Sequence, residues 1–240
     1  METPLLSING ITKRFGGLVA LDNVSFDVHT GEVVGLMGPN GAGKTTLLNI
    51  IAGEYAPDAG KIKYKGNDIT SCPPHKVCHI GIARTYQIPQ PFVTLSVKDN
   101  LMVTALYGRQ LKKSDAELEI NKIFDLINLS EKKNDLAGDL PILSLKKLEL
   151  ARALARKPEL ILLDEVAAGS TEVEIPEILD TIREIHNMGI TVVLVEHVMK
   201  VMVNAVDRII VIDKGMKIAE GEPKQVMEDN HVIEAYFGEQ

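Results

Sequence analysis

The stretch from Glu32 to Gly53, "EVVGLMGPNGAGKTTLLNIIAG", leaves a chain little freedom: an apolar strand, a glycine-rich turn and an apolar helix follow one another without a spacer. Gly38, Pro39, Asn40, Gly41, Ala42, Gly43, Lys44 and Thr45 fit the pattern G-x-x-x-x-G-K-[ST] at every fixed position. The glycines leave main-chain N–H groups free to converge on phosphate oxygens, and the following helix presents its positive end to them. Lys44 is placed to reach β- and γ-phosphates, and the Thr45 hydroxyl suits Mg²⁺. Average residue usage gives a chance match of about one in a hundred in a chain this long, and the strand–loop–helix context lowers that further.

A loop of this kind needs a sheet to hold it. After about residue 157, β-branched apolar runs ("LILLD", "ITVVLV", "RIIVID") alternate with helices, one of which carries Ile175, Ile178, Leu179, Ile182 and Ile185 on one stripe. Such alternation indicates a parallel sheet buried on both faces, an α/β fold. Short strand-like segments fill the N-terminal part: "LLSINGITKRF", "VSFDVHT", "EVVGLMG" and "GKIKYKG". The middle, from about Ser96 to Lys157, reads as helices, with Leu118, Ile123, Leu126 and Ile127 expected near one face of "SDAELEINKIFDLINL". A helical insert interrupting an α/β core is the simplest architecture.

The 240 residues suffice for a large core, and 45% hydrophobic with 25% charged residues is ordinary for a globular protein. A net charge of −7 argues against wholesale binding of nucleic acid. The start "METPLLSING" lacks a signal-peptide plan and the apolar runs are strand-sized, so a cytosolic chain is expected, meeting a membrane only through a partner. Cys72, His75, Cys78 and His79 lie in "CPPHKVCH", which reads as a short Pro-started helix rather than a transition-metal site.

Phosphoryl transfer needs acidic groups to hold Mg²⁺ and the attacking water. "LILLDE" supplies them: Asp164 ends an apolar strand and is placed to hold magnesium through water, while Glu165 can polarise the hydrolytic water. In "VVLVEHVMK", His197 emerges from a third buried strand, placed to contact a γ-phosphate.

These elements, in this order, resemble the ATP-binding-cassette (ABC) ATPases over essentially the whole chain. The resemblance implies a P-loop NTPase core with a parallel sheet, an N-terminal antiparallel β-subdomain (core and β-subdomain together 1–87 and 158–240) and an inserted helical subdomain (about 88–157). It implies that Gln87 in "GIARTYQIPQPF" touches the metal and the transport partner, and that Phe15 in "ITKRFGG" stacks on adenine. Thr46 joins the nucleotide-binding loop. The family roles of Lys44, Asp164, Glu165 and His197 agree with those argued above. "GIARTYQ", the segment Glu196 to Pro223 and the ending "AYFGE" look like the branched-chain amino-acid importer group. Partners implied are a second ABC ATPase, two transmembrane permease subunits and an extracytoplasmic solute-binding protein, with the chain peripheral on the cytoplasmic face of the membrane. A lipid-export or amide/urea transporter, or a soluble cassette acting on DNA or ribosomes, stands as an alternative.

One stretch departs from the family. Where it places Leu-Ser-Gly-Gly-Gln before a helix, this chain has Leu140, Pro141, Ile142, Leu143 and Ser144. A Ser hydroxyl and glycine-bared amides at a helix N-terminus grip a phosphate held by the facing subunit, whereas Pro141 has no N–H and Ile142 and Leu143 block close approach. Ser144 is expected to cap the helix, with Lys146 and Lys147 drawing anions as a weaker substitute. Val166, Ser170 and Thr171 stand where many relatives carry Pro, Leu and Asp at the dimer seam. The expected consequence is a heterodimer with two unequal sites. The apolar Ile88, Pro89, Pro91, Phe92 and Val93 are expected to meet the membrane subunits.

Overall fold

A computed structural model of the chain describes residues 3–108 and 112–237; Gly238 and Glu239 of the "AYFGE" ending lie outside the described residues. Strands β1 (Leu6–Phe15) and β2 (Leu18–Val28) form an antiparallel hairpin across Gly16 and Gly17. Their alternation buries Leu6, Ile8, Ile11, Leu21, Val24, Phe26 and Val28 on one face. After β3 (Val33–Met37) and α1 (Lys44–Ile51), strand β4 (Ala59–Tyr64) returns to pair with β1, and the short β5 (Asn67–Asp68) completes a four-stranded sheet in the order β2-β1-β4-β5.

Helix α2 (Pro74–His79) leads to β6 (Ile82–Arg84). Helices α3 (Val97–Val103, running on through a π-helical turn at Thr104–Gly108), α4 (Lys113–Leu126) and α5 (Ile142–Leu154) then precede β7 (Leu160–Asp164). The chain continues through α6 (Ile175–Asn187), β8 (Thr191–Val195), α7 (Met199–Ala205), β9 (Arg208–Asp213), β10 (Met216–Gly221), α8 (Pro223–Met227) and α9 (Asn230–Phe237). The second sheet runs β10-β9-β3-β8-β7-β6, parallel except for the antiparallel edge β10.

Residues of β3, β7 and β8 are buried throughout, because one face of the sheet packs on the helices and the other on α1 and the antiparallel sheet. Val33 and Met37 of β3 enter the first core, Val34 and Leu36 the second. This two-sided burial is why the strands read as unbroken apolar runs. The parallel order also sets the carboxyl ends of β3, β6, β7 and β8 along one rim, where open α/β sheets bind their ligands.

Helix α6 buries Ile175, Leu179, Ile182 and Ile185 as its stripe requires, with Ile178 half-buried beside them. Helix α4 corrects the reading above. Leu118 is 64% exposed, and the buried stripe is Ala116, Ile120, Ile123 and Phe124, continued by Ile127. Five residues separate Leu118 from Ile123, about one and two-fifths turns at 3.6 residues per turn, so the two cannot share a face. Replacing Ile120 by Ala should therefore cost about 2–5 kcal/mol in denaturant titration. Leu118→Ala should stay within about 0.5 kcal/mol of the parent.

Candidate nucleotide site

The loop between β3 and α1 is held in a conformation that only glycine fits at two points. Gly38 has φ 150°, and a Cβ there would lie 1.9 Å from the Ile212 carbonyl oxygen; Gly43, the N-cap of α1, has φ 108° and its Cβ would lie 2.5 Å from the Ala20 oxygen. Around Gly41 a Cβ would meet nothing within 4 Å, and Asn40, Gly41 and Thr45 are exposed. Among the described residues, the N–H groups of Gly41, Gly43, Lys44, Thr45 and Thr46 donate to no main-chain carbonyl. A concave turn with orphan donors at a helix N-terminus is the donor set that an oligophosphate needs. Lys44 is folded onto the loop, its Nζ donating to Gly38 O at 2.6 Å and Pro39 O at 2.9 Å. Burial pulls its ammonium below the ordinary lysine range, against the opposing charges of Glu165 and Asp164.

Opposite the loop, β7 delivers two carboxylates into different surroundings. Asp164 is 3% exposed; its Oδ2 accepts from Arg84 Nη2 at 3.1 Å, while Oδ1 is buried with no partner. Burial raises the Asp164 carboxyl above its ordinary range, Arg84 opposing. The orphaned oxygen fits the acceptor that a hydrated divalent cation would use. Glu165 turns away through a positive φ of 51°, uncommon for a residue with a Cβ and typical of functional sites. Its N–H donates to Val195 O at 2.9 Å. Its carboxylate accepts from Gln87 Nε2 at 2.5 Å and lies 3.9 Å from His197 Nδ1. Gln87, Glu165 and His197 thus converge at the ends of β6, β7 and β8. Phe15 does not join them: it ends β1, 43% exposed, with Tyr55 edge-on at 5.4 Å and Lys13 Nζ 5.4 Å from its ring.

Four residues around the rim escaped the sequence reading. Arg84 is a buried hub: beyond Asp164 it bonds Asn49 of α1, lies 3.4 Å from Glu54, and stacks 5.0 Å from the Tyr86 ring. Tyr86 donates to Glu54 at 2.7 Å, and burial pushes its hydroxyl up to about 12. Tyr236 of α9 accepts from Gly38 N–H at 2.8 Å, fastening the first residue of the loop. Glu196 is wholly buried beside His197. The only available signal was an ionisable residue inside an apolar strand end, as in "GIARTY" and "VVLVEH".

The stretch at 140–147 requires corrections. Helix α5 begins at Ile142, with Pro141 as N-cap and no side-chain cap, because proline's fixed φ and missing N–H suit a helix start. Ser144 is therefore the third helical residue, and its buried hydroxyl accepts from Lys132 Nζ at 3.1 Å. Lys146 bonds the Ala168 carbonyl and Lys147 pairs with Glu177 at 2.7 Å. Both lysines sit past the first turn and are engaged within the chain, so neither draws an anion to the helix end. In α2, His79 Nδ1 lies 2.6 Å from the His75 carbonyl, and no group of three His, Cys, Asp or Glu among the described residues is placed to hold a metal.

Orphan amides, a buried lysine, two unlike carboxylates and a histidine on one rim define a nucleotide-binding P-loop ATPase. A family model described as ABC transporter matches residues 21–168, and one described as branched-chain amino acid ATP-binding cassette transporter matches residues 216–240. The chain is 37% identical over 254 residues, covering 100% of both, to the high-affinity branched-chain amino acid transport ATP-binding protein LivG of Escherichia coli (strain K12). It is 35% identical over 257 residues, again covering 100% of both, to the corresponding protein BraF of Pseudomonas aeruginosa. Among solved structures it resembles the ADP conformation of an ATP-binding cassette of an ABC transporter, with TM-score 0.88, 34% identity, and 99% and 100% of the two chains covered. The chain belongs to the ABC transporter family, as an ATP-binding ATPase subunit.

Removing the arginine hub would leave Asp164 buried without its counter-charge. Arg84→Met should lower stability by about 3–5 kcal/mol, read from the denaturant midpoint.

Proposed function

We propose that this chain hydrolyses ATP to drive import of branched-chain amino acids through partner membrane subunits. The observation that carries the catalytic part is the Glu165 carboxylate held between Gln87 and His197, across from a loop of unpaired amides. The solute is supported by full-length likeness to proteins named for branched-chain amino acid transport.

In this reading Phe15 stacks on adenine, and the free amides of Gly41, Gly43, Lys44, Thr45 and Thr46 with the Lys44 side chain hold the phosphates, Lys44 exchanging the Gly38 and Pro39 carbonyls for phosphate oxygens. Thr45, Gln87 and the free oxygen of Asp164, the last through water, would hold Mg²⁺, which offsets phosphate charge when bound. Glu165 accepts a proton from the attacking water, and His197 steadies the γ-phosphate. Residues 1–87 and 158–240 make the nucleotide-binding core with its β-subdomain, and about 88–157 the helical subdomain.

No helix among the described residues is long and apolar enough to cross a membrane. We place the chain on the cytoplasmic face, bound to two permease subunits supplied by an extracytoplasmic solute-binding protein. The docking surface is the segment after Gln87: Ile88 is 74%, Phe92 45% and Val93 56% exposed, too open to be covering the insert's own core. Arg152 of α5 supports it from below, donating to Gln90 O at 2.7 Å and lying 5.1 Å from the Phe92 ring.

The second ATPase is a different, related chain. Pro141 offers no N–H, Ile142 and Leu143 are exposed, and the Ser144 hydroxyl is turned inward, so the start of α5 has little with which to grip a facing phosphate. The site completed by this helix holds nucleotide but turns over slowly, and the site built on Lys44, Glu165 and His197 hydrolyses.

In the co-purified assembly, leucine-type solutes should stimulate ATPase activity, and Glu165→Gln should cut kcat by about 10²- to 10⁴-fold while ATP still binds. Restoring Ser-Gly-Gly-Gln at 141–144 should change turnover little; full activity of this chain as a homodimer would count against unequal sites. Phe92→Glu should abolish solute stimulation of the assembly while the soluble chain keeps its fold and nucleotide affinity by calorimetry.

A further inference from the structure

Glu196 sits between the two loops that carry the hydrolytic groups, and its exposure is 0%. Its Oε1 accepts from Ala167 N–H at 2.6 Å; its Oε2 is buried with no partner. Two residues away, Glu165 N–H donates to Val195 O at 2.9 Å. The turn after β7 is therefore fastened to the end of β8 on both sides of Glu165, once by main chain and once by the Glu196 side chain. Next to Ala167, the Ala168 carbonyl receives Lys146 of α5. A continuous set of bonds thus runs from α5, through residues 167 and 168, to the strand end that presents His197.

A buried carboxylate is a costly way to hold one amide, since it loses its solvation and one of its oxygens is left without a partner. Burial pushes the Glu196 carboxyl above its ordinary range, opposed by the Ala167 N–H and by His197. Glu165, the other acid nearby, raises it further. Gln has the same length and shape and keeps an acceptor oxygen for the Ala167 N–H, so it is the conservative comparison at this position.

We propose that Glu196 is a positioning residue for ATP hydrolysis, clamping the turn that holds Glu165 to the loop that holds His197. This rests on the hydrolytic roles proposed for Glu165 and His197. The clamp touches neither the phosphate loop nor Phe15, so its loss should misplace the water-activating groups without weakening nucleotide binding. A displacement of about an ångström at reacting groups can cost on the order of 10²-fold in rate.

The test uses the assembly with its partner subunits, comparing Glu196→Gln with Glu196→Met, which matches the side-chain length but lacks the acceptor. Glu196→Met is expected to lower kcat by ~10- to 100-fold with KM for ATP and ADP affinity within about twofold of the parent. Glu196→Gln is expected to keep kcat within about threefold and to keep the Ala167 amide protected from hydrogen exchange. Unchanged kcat in Glu196→Met, or a rise in KM and a fall in ADP affinity along with the fall in kcat, would overturn the proposal. Glu196→Gln preserves shape and acceptor, so it reports even if the Met variant does not fold; a loss of kcat in it with the amide still protected would also overturn the clamp. An inactive parent assembly would instead count against the hydrolytic function itself.

Discussion

A phosphate loop works because its amides have no carbonyl partners, and that same vacancy makes it unstable unless its flanks are fixed. Here the fixation is dense. Strand β3 enters the loop paired on both sides, with β8 and β9. Ala42 O receives Gly215 N–H at 3.0 Å, Gly38 N–H is taken by Tyr236, and Lys44 bridges the Gly38 and Pro39 carbonyls. The turn between β9 and β10 and the last described helix thus brace a loop almost two hundred residues earlier in the chain. A loop held this way keeps its donors aimed outward without spending them on itself, which is the preorganisation that electrostatic binding of phosphate needs.

The rim manages charge by the same logic of partial satisfaction. Asp164 is tied through one oxygen only, so Arg84 fixes its orientation while leaving the other oxygen available. Arg84 is itself shared with Asn49 on α1, which links the carboxylate strand to the helix that starts at Lys44. Glu165 lies outside this network, half-buried and contacted by Gln87 and His197 from two further strand ends. Two adjacent carboxylates are thereby set in unlike surroundings, one buried and tied to an arginine, the other half-buried beside Gln87 and His197.

What could be read from sequence alone followed contiguity. The phosphate loop, the 164–165 pair and His197 each lie at the end of an apolar strand, so local pattern placed them, and the parallel sheet followed from the unbroken β-branched runs. Arg84, Tyr236 and Glu196 could not be read this way, because their roles exist only once distant strand ends are brought together. Helix α4 shows a different failure. Its apolar residues are numerous enough to suggest two overlapping stripes, and only packing against α3 and α5 selects Ala116, Ile120 and Ile123 over Leu118. At α5, the two lysines looked like helix-end cations because Ser144 looked like a cap. Moving the start to Ile142 puts them in the second turn, where they find the Ala168 carbonyl and Glu177.

That helix also shows why the altered stretch need not disable the chain. Its start, at Pro141 to Leu143, is exposed and changed from the family pattern. Its second turn anchors Ala168, and through the neighbouring Ala167 the loop of His197. Its last turns carry Arg152, paired with the buried Glu149 at 2.9 Å and supporting Gln90 and Phe92. Most of the changed positions therefore fall on the exposed start of α5, with Ser144 turned inward onto Lys132, while the second turn keeps its bond to Ala168 and the last turns theirs to Gln90 and Phe92. On the proposed reading, changes concentrated at the exposed start of α5 bear on a facing nucleotide and leave this chain's own rim in place.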